Sequence, residues 1–359
     1  MEVSLNTRDI NLLIINLLTL RIFTQMPMAF IKTAQFAASL TTLLGGSFSI
    51  FVIFLIARFL LKHISGNILD AAQSVFGTAG KIIASSLLFL YLVLSAVFTL
   101  SDFSKLIALI AFPTSPMWYI CGFLILGAVI GALGNLRAVI RLHGFFVPLI
   151  LIVFALLLIF TIFPFGSADT TQNAPQNLSP SINNLLSQIS LYGDILLLFL
   201  IAPTKESRKY LAKKIGYSGI CSLALNTLFI LAFTLKIPAS VAQNGQFPVY
   251  LLMKEVYFGR FFQRLDAMIL LIAALSAMLY LALNLKLSSS VLHQGFCLAQ
   301  NRIIPAVLGI SVLFLALNEW IFPSGSLQNL VQVFGIGGLA ILIVIAIFAE
   351  VRRLINEKH

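Results

Sequence analysis

The sequence predicts an all-α polytopic membrane protein with ten transmembrane helices, arranged as a five-plus-five inverted repeat. Three observations support this fold class. The chain of 359 residues is 60% hydrophobic and only 10% charged, which is too apolar for a single soluble core and too poor in charge for a disordered chain. Its apolar residues fall in long runs, and its basic residues collect in alternate connections between those runs.

The ten predicted spans begin near the N-terminus, and each is close to the ~20 residues that a helix needs to cross a bilayer. The period-2 alternation typical of membrane barrels is absent from these runs, and helices satisfy their own backbone hydrogen bonds in lipid. Residues 1–359 are therefore predicted to form one transmembrane domain, with residues 1–165 and 184–350 as its two five-helix halves. The ten segments are 10–31, 36–61, 81–101, 117–136, 144–165, 184–203, 215–237, 267–287, 303–322 and 329–350.

Lys and Arg residues predict the orientation of the chain. With ten spans both termini share one side, and sixteen basic residues fall on that side against six on the other. Because cytoplasmic loops are enriched in Lys and Arg, both termini are predicted to be cytoplasmic. The net charge of +11 then follows from topology, and no nucleic-acid partner is expected. The external segment 238–266 is amphipathic and is expected to lie on the surface or to cap the bundle.

The first predicted span is interrupted near its centre. It reads LLTLRIFTQMPMAF and carries Arg21, Thr24 and Gln25 just before Pro27. Proline removes a helix hydrogen bond and disfavours helical geometry at the preceding residue. In transporters built from inverted repeats, the first helix of each repeat is broken near the membrane midplane, where the substrate binds.

The sixth span, which begins the second half, is interrupted at the equivalent position. It reads QISLYGDILLLFLIAP, with Tyr192, Gly193 and Asp194 near its centre. Gly193 permits an unwound backbone and the close approach of a ligand. A carboxylate at the bilayer centre costs roughly 3 kcal/mol on insertion scales, so Asp194 requires a partner, a polar cavity or a proton.

Arg21 is the predicted partner of Asp194, because it has the opposite sign, a similar predicted depth and the equivalent place in the other half. We expect both side chains to border one central cavity, either as a pair or as two clamps on a zwitterion. An amino acid would offer its carboxylate to Arg21 and its ammonium group to Asp194. The alternative is a structural ion pair without a ligand, or a protonated Asp194 that bonds a neighbouring helix.

Five further polar residues are weaker candidates for the lining of the same cavity. Tyr91 and Ser95 lie midway along the third span, and Ser276, Tyr280 and Asn284 lie on one face of the eighth at a spacing of four. The alternative reading is that they bond neighbouring helices, since hydroxyl and amide side chains join helices in membranes.

Motifs of enzymes and cofactor sites are absent from the sequence. It contains no Walker motif, dinucleotide fingerprint or nucleophile elbow. The four histidines are spread along the chain at the predicted cytoplasmic ends of helices. The sequence therefore predicts neither an enzyme nor a cofactor or metal site.

Four stretches in their order along the chain resemble a known family. They are FPTSP after the third span, Arg137 and Arg141 followed by Pro148, YGDILLLFLIAP in the sixth span, and FPVYLLMKEVYFGRFFQRLDAM at 247–268. Together they resemble the B subunits of bacterial spore germinant receptors, which are endospore germination permeases of about this length. One departure is the first span, where such permeases carry small Gly residues at the break and this chain reads LTLRIFTQMP. Arg21 could either replace or fill a carboxylate site there.

The resemblance implies a fold, a location and partners. The family belongs to the amino acid-polyamine-organocation superfamily, which has the LeuT-like five-plus-five fold, and its members lie in the inner membrane of the bacterial spore. They work with an A subunit and a lipoprotein C subunit. They recognise small nutrients, often amino acids, and start germination with ion release.

Three functions follow as alternatives from the sequence. The first is a B subunit that senses a nutrient, with an amino acid expected in a central pocket. The second is a proton- or sodium-coupled transporter of an amino acid. The third is an ion or water pathway within a larger receptor, without a ligand of its own.

Overall fold

The computed structural model describes residues 7–34, 37–63, 66–162, 188–189, 191–201, 205–255, 265–296, 301–318 and 323–356, and every regular element in these ranges is a helix. The predicted junction between the halves, residues 165–184, lies outside the described residues, as does the 256–264 part of the long family-like motif. The helices are α1 (Thr7–Thr19), α2 (Met26–Ala34), α3 (Ala38–His63), α4 (Ile68–Ile110), α5 (Met117–Leu133), α6 (Leu136–Ile162), α7 (Leu196–Phe199), α8 (Lys205–Lys236), α9 (Ala239–Asn244), α10 (Pro248–Glu255), α11 (Leu265–Phe296), α12 (Ile304–Leu317) and α13 (Ser324–Asn356).

The first predicted span is broken where its sequence indicates. Helix α1 is followed by the 3₁₀ turn Leu20–Phe23, and Thr24 then takes an extended backbone with φ −89° and ψ 178° before α2 begins. Pro27 lies in the first turn of α2, where its missing N–H leaves no helix hydrogen bond unmade. The chain therefore crosses this region as two short helices whose ends meet at a polar, non-helical step.

The second predicted break is also present. Gly193–Ile195 form a 3₁₀ turn that leads into the four-residue helix α7. All of these residues are buried. Their backbone thus departs from regular α-helix inside the protein, which is where membrane proteins tolerate irregular backbone.

Helix α4 extends well beyond the predicted third span, 81–101. It starts at a capping box, in which the Asn67 side chain accepts from the Asp70 backbone and the Asp70 side chain accepts from Asn67. Gly77 then divides the helix, because its φ of 72° and ψ of −162° lie outside helical geometry. A residue with a side chain rarely adopts such a positive φ, so glycine is the residue suited to this kink.

Helix α11 lies at the centre of the packing. It contacts α4, α5, α6 and α12, while α3 packs on α8, and α1 packs on both α8 and α6. The two 3₁₀ turns lie inside this arrangement, since the first contacts α10 and α11 and the second contacts α1 and α13. Both breaks are therefore enclosed by helices from the two halves of the sequence.

The amphipathic segment after α8 forms the short helices α9 and α10. Helix α9 contacts α2, and α10 contacts the first 3₁₀ turn and the end of α8. Phe247, Val249 and Leu252 turn inward and are buried. The described part of this segment thus caps the bundle next to the broken first span.

The outer surface of the bundle is apolar. Phe123, Phe145 and Ile310 are 68%, 75% and 68% exposed, far more apolar surface than a soluble monomer leaves to water. Six helices of the described residues are long and apolar enough to cross a membrane, namely α3, α4, α6, α8, α11 and α13. Helices α5 and α12 are shorter apolar helices. The protein is an integral multi-pass membrane protein.

A glycine-to-alanine pair tests the packing of α3 on α8. A Cβ at Gly46 would clash with the Leu223 side chain and lie 2.7 Å from the Tyr192 hydroxyl, whereas one at Gly122 would meet nothing within 4 Å. We expect Gly46→Ala to destabilise the folded protein by about 1–3 kcal/mol through overpacking. Thermal unfolding of the purified protein in detergent measures this, and Gly122→Ala is the control that should unfold at or above the wild-type temperature. Equal unfolding temperatures for the two variants would contradict the packing.

Candidate functional site

The side chains of Arg21 and Asp194 meet in the interior of the bundle. Arg21 Nε donates to Asp194 Oδ2 at 2.6 Å, and Arg21 Nη2 donates to Asp194 Oδ1 at 2.9 Å. The side chains are 2% and 1% exposed. This two-bond geometry joins the 3₁₀ turn of the first span directly to the 3₁₀ turn of the second half, and it is the strong form of an Arg–carboxylate pair.

Helices α4 and α11 surround the pair with hydroxyl groups. Ser95 accepts from Arg21 Nη2 at 2.6 Å, and Tyr91 and Tyr280 donate to Asp194 Oδ1 at 2.9 Å and 2.7 Å. Ser95 and Tyr280 are also 2.6 Å apart, within hydrogen-bonding distance of each other. Each carboxylate and guanidinium group thus has several partners, as a buried ion pair requires if its desolvation is to be offset.

Two residues complete the surroundings of the guanidinium group. Arg21 Nη1 donates to Thr99 Oγ1 at 3.3 Å. The Arg21 Cζ atom lies 5.3 Å from the centres of both the Phe98 and the Tyr280 rings, within the range of a cation–π contact. We call Arg21, Asp194, Tyr91, Ser95, Thr99 and Tyr280 the central cluster. All six side chains are buried, so the cluster is closed to water in this conformation.

Gly193 lets the second break approach its neighbours. A Cβ at this position would lie 3.3 Å from the Cα of Gly335 on α13 and 3.4 Å from the Tyr91 hydroxyl. A side chain would therefore press on a backbone that cannot move aside easily. The glycine holds Asp194 at the depth of Tyr91 and next to α13.

Tyr192 points away from the central cluster. Its hydroxyl accepts from Asn226 Nδ2 at 3.4 Å, and the same amide donates to the carbonyl oxygen of Leu18 at 3.3 Å. The Leu18 carbonyl belongs to the last turn of α1, which the break leaves short of helical partners. Asn226 thus links Tyr192 to the end of α1. The Tyr192 hydroxyl bonds Asn226 on α8 and not the Asp194 carboxylate.

The hydrogen bonds of Thr24 and Gln25 satisfy backbone groups at the first break and do not involve the charged groups of the ion pair. Thr24 Oγ1 donates to the Arg21 carbonyl at 2.7 Å, and the Gln25 backbone N–H donates to Asp102 Oδ2 at 2.9 Å. Asp102 comes from α4 and is 2% exposed. The carboxylate therefore satisfies a backbone group that the broken helix cannot.

The three polar residues on one face of α11 have three different surroundings. Ser276 donates to Asn16 Oδ1 on α1 at 2.7 Å, while Tyr280 belongs to the central cluster. Asn284 is fully buried, its Oδ1 accepts from Ser288 at 3.4 Å, and its Nδ2 has no partner among the described residues. A helix advances only 3.6 residues per turn, so positions four apart drift around its surface and contact different neighbours.

Three residues of the site were not among the predicted ones. Phe98, Thr99 and Asp102 all lie on α4 and contact the first broken span or its arginine. Thr99 follows Ser95 by four residues and Asp102 follows Thr99 by three, so helical spacing alone would have extended the Tyr91–Ser95 face to both. Asp102 lies one residue beyond the end of the predicted third span, 81–101.

The arrangement offers one positive and one negative group at the same place, both attached to non-helical backbone. The guanidinium group presents a planar set of donors that matches a carboxylate, and the Asp194 carboxylate accepts from cations and hydroxyls. The surrounding hydroxyls can donate or accept, so they can serve either partner. The cluster is thus chemically complementary to a zwitterion, with Arg21 and Asp194 now binding each other.

The amino-acid sequence matches one family over most of its length. The sequence profile described as spore germination protein matches residues 4–321. The chain belongs to the spore germination protein family. No curated protein sequence matches it.

Solved structures share the fold of this spore germination family member at low sequence identity. One is MHP1, a nucleobase-cation-symport-1 family transporter in a closed conformation with bromovinylhydantoin bound. Its TM-score is 0.68 at 13% sequence identity, and the match covers 93% of this chain and 75% of the MHP1 chain. Another is a Na⁺-coupled sialic acid symporter in a substrate-bound outward-open state, with a TM-score of 0.62, 14% identity, and coverage of 93% and 78%. Both have the LeuT fold, so the family member has the fold of these transporters.

Removing one charge of the central pair should be far more costly than removing both. Asp194→Asn or Arg21→Gln leaves an unpaired buried charge, and we expect each to destabilise the protein by about 3–5 kcal/mol. The double variant removes both charges and should lose much less than the sum of the single losses. Thermal unfolding of all four proteins in one detergent measures the coupling. Additive losses would show that the two side chains do not interact.

Removing the carboxylate of Asp102 should loosen the first break without disturbing the ion pair. Asp102→Ala leaves the Gln25 N–H without its acceptor, and we expect amide exchange at α2 to accelerate roughly 5- to 150-fold, as a loss of ~1–3 kcal/mol implies. Hydrogen–deuterium exchange with mass spectrometry compares α2 with the distant helix α12. Ser101→Ala, at the preceding position, is the control. Unchanged exchange at α2 would show that Asp102 does not hold the break.

Proposed function

We propose that this protein is the B subunit of a spore germinant receptor and that it recognises a nutrient amino acid at the central cluster. The observation that carries the proposal is the buried Arg21–Asp194 pair at the meeting point of two broken helices. Family membership supports a role in germination, and the fold of solute symporters supports a small-molecule site at this place.

Binding is proposed to occur by exchange of partners. The ligand carboxylate takes the place of Asp194 on the Arg21 guanidinium group, and the ligand ammonium group binds the released Asp194 carboxylate. One internal ion pair is thereby replaced by two pairs to the ligand, and no buried charge is left without a partner. Ser95 and Tyr280 lie within hydrogen-bond distance of both groups, so they can keep bonding one or the other during the exchange, and Tyr91 bonds Asp194.

Thr24, Gln25, Tyr192, Gly193 and Asn284 have supporting roles in this proposal. Thr24 and Gln25 fix the non-helical step of the first span, and Tyr192 and Gly193 do so for the second. Asn284, one helical turn after Tyr280 on α11, has a buried side-chain N–H group without a hydrogen-bond partner among the described residues. This group would be able to donate a hydrogen bond in a rearranged site. Exchange of partners requires movement at both breaks, because the cluster is closed as it stands.

The wider setting is proposed from the family and from the charge pattern. The chain forms ten spans in two inverted five-helix repeats, with both termini in the cytoplasm and the protein in the inner membrane of the spore. It works with the A and C subunits of the receptor and binds no nucleic acid. Movement of the broken helices on ligand binding signals to these partners, and no catalytic step is involved.

An amino acid transporter driven by protons or sodium is the second candidate function. It is favoured by one observation, namely that the two solved structures described above, which share this fold, are of a symport-family transporter and a symporter. Uptake of labelled amino acids into vesicles that contain only this protein distinguishes the two. Concentrative uptake supports the transporter, whereas ligand binding without uptake supports the receptor subunit.

A thermal-shift panel of amino acids on the purified protein tests the site. A ligand at 100 times its dissociation constant stabilises the folded state by ~2.7 kcal/mol, so we expect a higher unfolding temperature with a subset of amino acids. Tyr91→Phe and Tyr280→Phe keep the ion pair and should weaken this shift. Tyr217→Phe is the matched control, because Tyr217 is 73% exposed on the outer surface. A shift that is the same in all three variants would place the ligand elsewhere.

A further inference from the structure

A cavity lies away from the central cluster, at the end of the bundle where α4 begins and α11 ends. Its volume is about 810 Å³, within the range of ligand-binding pockets. None of its lining residues belongs to the central cluster, although Leu200 follows Asp194 on the same irregular segment. The charged residues of the lining are Asp70, Lys81, Lys286 and Arg302.

The charge of this cavity is unbalanced. Lys81, Lys286 and Arg302 supply three positive charges, and Asp70 supplies the one carboxylate among the described lining residues. Asp70 is already engaged in the capping box of α4, where its side chain accepts from the Asn67 backbone at 3.1 Å. The cavity therefore has an excess of two positive charges.

Among the described residues, none of the three cations has a carboxylate oxygen within 4.0 Å. The ion pair found within that distance in the same part of the chain is Arg21–Asp194. Lys81 donates to the neutral amide of Gln73 at 3.0 Å, which leaves its charge in place. Lys286 and Arg302 lie close enough to act on each other electrostatically, and both are positive. Like charges that face one concave space repel each other unless an anion lies between them.

Neutral donors line the same space. Ser289, Ser290, Asn67 and Gln294 come from the end of α11 and from the start of α4. The Gln294 side chain donates to Ser290 Oγ at 3.2 Å and accepts from Asn67, so these groups form a connected polar wall. Leucine side chains complete the lining, so an apolar part lies beside the polar wall and its cations, and the cations are suited to an anion.

We propose that this basic cavity binds a phosphate-type dianion. Two negative charges match the excess of two positive charges, and the planar fork of Arg302 with the point charges of Lys81 and Lys286 is a combination that favours phosphate oxygens. The dianion is either a soluble phosphate compound or the phosphate of a lipid headgroup. The proposal does not depend on what binds at the central cluster.

Binding of inorganic phosphate to the full-length protein tests the proposal. Thermal unfolding in detergent is followed with increasing sodium phosphate against sodium chloride of equal ionic strength. We expect stabilisation by phosphate, with Lys286→Gln and Arg302→Gln each raising the dissociation constant tenfold or more. These variants should unfold at the wild-type temperature or higher without phosphate, because each removes a repulsion. Loss of the phosphate response is then separate from loss of folding.

A control variant and a comparison of two lipids complete the experiment. Arg141→Gln removes an exposed cation that does not line the cavity and should keep the full phosphate response. In nanodiscs, phosphatidic acid against phosphatidylcholine shows whether a headgroup supplies the dianion, again with the Lys286 and Arg302 variants. A response to phosphate or to phosphatidic acid that these two variants abolish supports the site. No response to either, or a response that Arg141→Gln lowers equally, overturns it.

Discussion

The ion pair between Arg21 and Asp194 is the interaction on which the arrangement of the bundle depends. Each charge lies on non-helical backbone in the protein interior, where an unpaired ion would be far more costly than a paired one. The pair therefore fixes the first broken span against the second. Tyr91 and Ser95 of α4 and Tyr280 of α11 must then lie where their hydroxyls reach the same two groups.

The first break is stabilised by side chains that replace missing backbone hydrogen bonds. At the first break, the Arg21 carbonyl accepts from Thr24 Oγ1 and the Gln25 N–H donates to Asp102. At the end of α1, the Leu18 carbonyl accepts from Asn226. Asp102 comes from α4 and Asn226 from α8, so the first break is held in part by helices that lie far from it in sequence. A shift of either helix would release a backbone group, which links packing to the conformation of the site.

The sequence was sufficient to predict the central pair, because charge in an apolar span is rare and requires a partner of opposite sign at the same depth. Tyr91, Ser95 and Tyr280 were among its weaker candidates, and the structure places all three beside the pair. It could not separate Tyr280 from Ser276 and Asn284, since the rotation of α11 about its axis depends on packing that spacing does not encode. Asp102 was missed because α4 is longer than its apolar run. Tyr192 was grouped with Asp194 by adjacency, although it faces α8.

A closed ion pair restricts what can open it. A ligand that carried only a carboxylate would bind Arg21 and leave Asp194 buried without a cation, and an amine alone would leave Arg21 without an anion. In either case one charge stays buried without a partner, and most of the free-energy cost of an isolated buried charge remains. A ligand with both charges a short distance apart removes that penalty on both sides at once. Under the proposed exchange of partners, this cost favours zwitterions over ions of either sign at the central cluster.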